Sequence, residues 1–166
     1  MKYLGFLVVL CAISIGLTSF VSPLADGEER QFKCMIQLTN YTGEGAYIVV
    51  SVLDSEDNYV KTLRVLGDDE EWYPDIPTWW EFHESKNKPN IDGITGATIA
   101  GGERSIFVLD IDESYLNNGY QLRFETSVEH QDYHKDDLKI SINDASLKGK
   151  FEGTGYIRYV RILPQT

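Results

Sequence analysis

The sequence predicts an all-β protein, an antiparallel β-sandwich of the immunoglobulin-like type, with a short helical insertion near residues 71–84. Two observations predict this class: about seven short runs rich in β-branched and aromatic residues, and turn signals at the spacing usual for sandwiches. A third is the pair of prolines in the only helix-like segment. The 166 residues suit one domain, at 26–166, after a small N-terminal segment.

Three strands are predicted in the first half of the domain, at 31–39, 46–53 and 59–66. Residues 54–58 between the last two runs are Asp, Ser, Glu, Asp and Asn, which favour a turn. Because the turn is short and its flanks alternate, we expect these two strands to form a hairpin.

The helical insertion follows the third predicted strand. Residues 71–82 are rich in tryptophan and tyrosine and are interrupted by Pro74 and Pro77, which rule out a long helix. A short helix is predicted at 79–83. Four further strands are predicted after the insertion, at 104–111, 120–128, 138–142 and 156–163.

The segment between two of these strands, at 129–137, contains four acids and is predicted to be a solvated loop. His130 and His134 lie four residues apart among those acids. On a helix such spacing could hold a divalent metal. Since the segment follows a strand and reads as a loop, the solvated interpretation is the favoured one.

The N-terminal segment, residues 1–25, is predicted to be a signal peptide or a membrane anchor. Lys2 is its only charge, and residues 3–21 are almost continuously apolar. The residues around Pro23 suit cleavage poorly, so both interpretations stay open. Either one predicts a periplasmic or other extracytoplasmic protein.

The net charge excludes one class of partner. It is −11 for the whole chain, and removing residues 1–25 takes away one lysine and no acid, which leaves −12. Such a charge argues against nucleic acid and against anionic lipid surfaces. Cys34 is the only cysteine of the domain, so we expect it to be buried, inert and dispensable.

The most specific signal is a seven-residue segment of glycine and other small residues. It reads Asp92-Gly93-Ile94-Thr95-Gly96-Ala97-Thr98. This segment resembles the flavinylation motif recognised by the bacterial FAD:protein FMN transferase: Asp, Ala or Gly, any residue, Ser or Thr, Gly, Ala, Thr. Every constrained position is met, which average residue frequencies allow by chance in roughly one such chain in ten thousand.

The resemblance implies a covalent FMN, bound through a phosphoester to Thr98, with the transferase as a partner. A free hydroxyl is a weak nucleophile, so the base and the metal are expected from the transferase. The two glycines and Ala97 leave the backbone free of bulky side chains and conformationally permissive. Asp92 and Thr95 can hydrogen-bond nearby backbone groups and shape a turn. A plain glycine-rich connection between a helix and a strand is the alternative.

More of the chain is similar to one family. The shared features are Tyr59-Val60-x-Thr62-Leu63, Trp79-Trp80, the flavin motif, Gly101-Gly102, a strand ending in Asp110, and Gly119-Tyr120-x-Leu122-x-x-Glu125. This order resembles the predicted periplasmic proteins of domain-of-unknown-function family 2271, over about residues 45–163. Their motif usually has Arg after the final Thr, where this chain has Ile99, so an ionic contact to the flavin phosphate from that position is in doubt.

We therefore expect an electron-transfer flavoprotein that exchanges electrons with membrane or periplasmic redox proteins. A cofactor-free β-sandwich binding module, for a glycan or a partner protein, is the alternative. A substrate-specific enzyme is less expected, because no paired acid and base is evident. Trp79, Trp80 and His83 either pack in the core or contact the flavin, and the sequence leaves this choice open.

Overall fold

The computed structural model describes residues 27–165, which form two packed β-sheets. The strands are β1 (Glu29–Leu38), β2 (Tyr47–Leu53), β3 (Tyr59–Leu66), β4 (Thr95–Gly96), β5 (Arg104–Asp112), β6 (Gln121–Ser127), β7 (Tyr133–Ser141), β8 (Lys150–Phe151) and β9 (Ile157–Pro164). One sheet has the order β5-β1-β9-β8 and the other β4-β3-β2-β6-β7. Every strand pair except β3–β4 is antiparallel, so the predicted all-β sandwich is confirmed.

The main core lies between the two sheets. In β1 the buried residues are every second one from Phe32 to Leu38, and Lys33 between them is exposed, as a strand with one buried face requires. Cys34 is fully buried on this face, and desolvation raises the pKa of its thiol to about 12. A thiol in this state is protonated and unreactive at neutral pH.

The predicted helical insertion is confirmed and covers the outer face of the five-stranded sheet. A 3-10 helix at Glu70–Asp75 is followed by α1 (Pro77–Ser85), in which Pro77 occupies the first turn, where its missing N–H does no harm. The two helices and the sheet form a second apolar cluster of Tyr47, Val49, Val65, Tyr73, Ile76 and Trp79. The five-stranded sheet is therefore buried on both faces near the insertion.

The loop predicted at 129–137 is wrong in its second half, because β7 already begins at Tyr133. Asp137 is 1% exposed, and its carboxylate accepts hydrogen bonds from the Thr126 hydroxyl and from the backbone N–H groups of Thr154, Gly155 and Ile157. Four donors compensate the cost of burying the Asp137 carboxylate. Because these donors are distant in sequence, local patterns do not reveal that Asp137 is buried.

Among the residues that the structure describes, no group of three His, Cys, Asp or Glu could hold a metal ion.

The predicted signal peptide or anchor, with its apolar run at 3–21, lies outside the described residues. Between residues 27 and 165, no helix is long and apolar enough to cross a membrane.

Candidate functional site

The flavin motif lies at one edge of the five-stranded sheet. Asp92–Ile94 form a single 3-10 turn, and Thr95–Gly96 form the short strand β4, which pairs in parallel with the end of β3. Since β4 is the edge strand, the residues that follow it run along the border of the sandwich. Asp92, Gly93 and Ala97 are exposed there.

Thr98 is held beside the start of β2. The neighbouring Ile99 exchanges two backbone hydrogen bonds with Ala46, of 2.8 and 3.2 Å, and its side chain is buried in the core between the sheets. Neighbouring residues of an extended chain point to opposite faces, so Thr98 is directed to the outer face, as is Tyr47 next to Ala46. Position 99 therefore faces the core, away from the outer face on which Thr98 lies.

The two threonine hydroxyls of the motif differ in their surroundings. The Thr95 hydroxyl donates a 2.8 Å hydrogen bond to the Ile91 carbonyl and closes the turn. The Thr98 hydroxyl has no hydrogen-bond partner within residues 27–165, and Thr98 is half-buried. Its side chain contacts Gly45, where any side chain would collide with it. The hydroxyl without a partner is thus the one at the last position of the seven-residue motif.

The Arg64 side chain covers Gly96. A Cβ built at this position would lie 2.8 Å from Arg64 Nη2 and 3.3 Å from Leu66 Cδ2, so a larger residue would displace both side chains. The Arg64 guanidinium also lies 5.7 Å from the Phe107 ring, and its buried Nε has no hydrogen-bond partner in the described part of the chain. In contrast, nothing lies within 4 Å of a Cβ built at Gly93, which suits a motif position that accepts Ala or Gly.

A groove leads away from the motif along the insertion. A cavity of about 290 Å³ borders Thr95 and Gly96, and a second of about 310 Å³ extends to Trp80 and Lys88. They share the lining residues Glu70, Tyr73, Ile91 and Asp92, so they form one continuous depression. We call it the aromatic groove; its walls are Glu70, Tyr73, Trp80, His83, Ile91 and Asp92.

The aromatic residues of the insertion have different roles. Trp79 is fully buried, donates a 3.2 Å hydrogen bond from Nε1 to the Thr62 hydroxyl, and packs against Tyr73 and His83. Trp80 is half-buried and lines the groove. Burial lowers the pKa of His83, and the nearby charge of Lys88 lowers it further, so the imidazole is neutral at pH 7. Trp80 and His83 therefore face the groove, while Trp79 supports them from beneath.

A buried ion pair lies within the five-stranded sheet, on β6. Arg123 Nη2 lies 3.0 Å from Glu125 Oε1, and the Tyr133 hydroxyl donates a 2.6 Å hydrogen bond to Glu125 Oε2. Both charged residues are at most 2% exposed, and the Arg123 guanidinium lies 4.9 Å from the Tyr59 ring. Desolvation raises the pKa of Glu125 despite the nearby arginine.

Comparison with known families gives one result. The sequence model of a family described as "Predicted periplasmic protein (DUF2271)" matches residues 29–159. The chain belongs to the DUF2271 family. The match covers the whole sandwich from β1 into β9, and the description gives a predicted periplasmic location for the family. No curated protein and no solved structure matches the chain.

In this DUF2271 domain, sequence reasoning missed three features of the site. Gly45 and Arg64 are distant from the motif in sequence, and nothing in their local pattern marks them. The ion pair of Arg123 and Glu125 carried a weak signal, since both residues alternate with apolar ones on β6. An alternating polar face normally indicates solvent, and only the insertion packed on the sheet makes it buried.

Proposed function

We propose that the chain is an extracytoplasmic electron carrier that holds one FMN through a phosphoester to Thr98. The observation that carries this proposal is the contrast between the two motif hydroxyls, of which Thr95 is engaged and Thr98 is without a partner. The periplasmic description of the family supports the location. Bound FMN supplies the redox chemistry, and the protein supplies position and electrostatics.

The attachment is a group transfer in which Thr98 is the acceptor. The Thr98 oxygen forms a bond to the phosphorus of the FMN half of FAD, the pyrophosphate bond breaks, and AMP leaves. The hydroxyl proton passes to a base of the transferase. Within residues 27–165 no His, Asp or Glu side chain hydrogen-bonds the Thr98 hydroxyl, which fits activation by a separate enzyme.

The residues around Thr98 suit the group. Thr98 anchors the phosphate, and the exposed Ala97 leaves the transferase room to approach. Arg64 lies beside Gly96 on the face toward Phe107, so its positive charge attracts a phosphate at the sheet edge without touching it. The aromatic groove offers a surface for the flavin ring. Redox proteins of the membrane or the periplasm would be the donor and the acceptor of electrons.

The test is coexpression of the full chain with the transferase, followed by intact and peptide mass spectrometry. We expect a yellow protein with one FMN on Thr98, and a folded but colourless Thr98→Ala variant. Thr95→Ala, the matched control, should load more slowly because it loses the hydrogen bond to Ile91 but keeps the acceptor. FMN on Thr95, or covalent flavin on Thr98→Ala, would overturn the assignment. A colourless wild-type protein would favour the cofactor-free binding module.

A further inference from the structure

We propose that the isoalloxazine ring of the FMN on Thr98 binds in the aromatic groove and stacks on Trp80. This inference rests on the proposed flavinylation of Thr98 and adds where the ring lies. It is carried by the continuity of the groove with the motif, by the face on which Thr98 lies, and by the composition of the groove walls.

The groove begins within reach of Thr98. Thr95 and Gly96 form its near end, and Thr98 lies two residues further along the chain, or about 7 Å in extended backbone. Eight single bonds of about 1.5 Å separate the threonine oxygen from the ring nitrogen of FMN. The ribityl phosphate is therefore long enough to place the ring beyond Gly96.

Thr98 and the groove lie on the same side of the five-stranded sheet. The Ile99 side chain enters the core between the sheets, which directs Thr98 to the opposite, outer face. On this outer face Tyr47 of β2 packs against Tyr73 of the insertion, with ring centroids 6.4 Å apart. The cofactor can thus extend from Thr98 into the groove without crossing the edge of the sandwich.

The two cavities have the size and the walls that a planar aromatic ring needs. The larger one, of about 310 Å³, lies at the lower end of the range of about 300–1,000 Å³ that small-molecule sites have. Trp80 and Ile91 give aromatic and aliphatic surface, and Trp79 packs beneath Trp80 with ring centroids 6.1 Å apart. Offset stacking of aromatic rings adds about 0.5–1.5 kcal/mol to the burial of their surface.

Lys88 at present occupies the face of Trp80 that the ring would use. Its ammonium lies 4.4 Å from the Trp80 ring centroid and 3.2 Å from Glu84 Oε1. The Lys88 side chain is 54% exposed, so solvent can take over both contacts when the ring displaces it. Asn90 and Asp92 at the rim keep one side of the groove open to solvent, where a redox partner could approach.

The experiment compares flavin fluorescence of the loaded full chain and of two loaded variants. An indole in contact with a flavin quenches its fluorescence by transferring an electron to the excited ring and taking it back. We expect strong quenching in the wild type, a severalfold rise in Trp80→Leu, and an intermediate value in Trp80→Phe. Trp72→Leu is the matched control, because Trp72 packs against His130 and does not line the groove.

The outcomes separate the two proposals. A wild-type chain without the FMN mass overturns both. A loaded wild type that fluoresces like free FMN, or equal brightening in Trp80→Leu and Trp72→Leu, overturns the groove only. Should Trp80→Leu fail to fold, the flavin fluorescence of Trp80→Phe and the visible circular dichroism of the bound flavin test the position of the ring. That dichroism should be strong in the wild type and weaker in Trp80→Phe.

Discussion

The Thr98 side chain occupies the space that a side chain on Gly45 would need: a Cβ built on Gly45 lies 2.7 Å from the Thr98 Cβ. Gly45 directly precedes Ala46, which pairs with Ile99, so one short backbone contact both fixes the chain after the motif and leaves room for the Thr98 side chain. A glycine far from the motif in sequence thus becomes part of the site.

Gly45→Ala should reduce flavin loading. Its backbone does not have the positive φ that would itself oppose alanine, so the effect comes from the collision with Thr98, whose hydroxyl must turn or shift. We expect a clear fall in the rate of FMN incorporation, measured by intact mass spectrometry during coexpression. Gly93→Ala is the control, because a Cβ there meets nothing within 4 Å. Equal loading rates in the two variants would contradict this role of Gly45.

Arg64→Gln should weaken the stabilisation that the cofactor confers. The Arg64 guanidinium lies against Gly96, two residues before Thr98, and its charge attracts a phosphate at this sheet edge. We expect the rise in Tm between the unloaded and the loaded protein to be smaller in Arg64→Gln than in the wild type. Arg104→Gln, an exposed arginine on β5, should leave that rise unchanged. An undiminished rise in Arg64→Gln would exclude this attraction.

The bound flavin should have a lower reduction potential than free FMN. Asp68, Glu70 and Asp92 line the cavities next to the motif, and carboxylates disfavour the negative charge that reduction adds. Only nearby acids matter, because charges beyond about 8 Å are screened at physiological salt. Potentiometric titration should give a higher potential for Glu70→Gln than for the wild type, and no change for Glu152→Gln beyond β8. A wild-type potential above that of free FMN would sink this expectation.

The buried Glu125 predicts a pH dependence of stability. Desolvation raises its pKa in the folded state above the unfolded value, so the folded protein binds more protons in that window. The contribution of Glu125 to stability is therefore fully present below the ordinary glutamate pKa and is lost as pH rises through the raised value. Urea unfolding between about pH 4 and 7 should show this loss in the wild type and not in Glu125→Gln.

The control for this prediction is the half-buried Glu129, for which Glu129→Gln should keep the wild-type slope. Because glutamine changes the hydrogen bonding of Arg123 and Tyr133 at every pH, the slope of stability against pH, and not its level, is the measurement. The same slope in Glu125→Gln and in the wild type would assign the pH dependence to other groups.

Most of the fold was predictable from local patterns. The strand β3 begins and ends at the predicted residues, and β1, β2, β5, β6 and β9 lie within about two residues of their predicted bounds, since β-branched runs and turn residues mark them. The strand β7 was predicted too late. Its first half is charged, and Asp137 is satisfied by donors from β6 and from the loop before β9, which no short window contains.

The sequence by itself determined the fold class, the helical insertion and the seven-residue motif, because each depends on residues that are neighbours along the chain. The tertiary structure alone decided that Gly45 and Arg64 border the motif, and that Trp80 rather than Trp79 lines the groove. These relations arise because β2 and β3 return to the sheet edge beside β4, while α1 packs one tryptophan inward and leaves the next at the surface. Contacts between strands far apart in sequence depend on register and packing, which residue spacing does not encode.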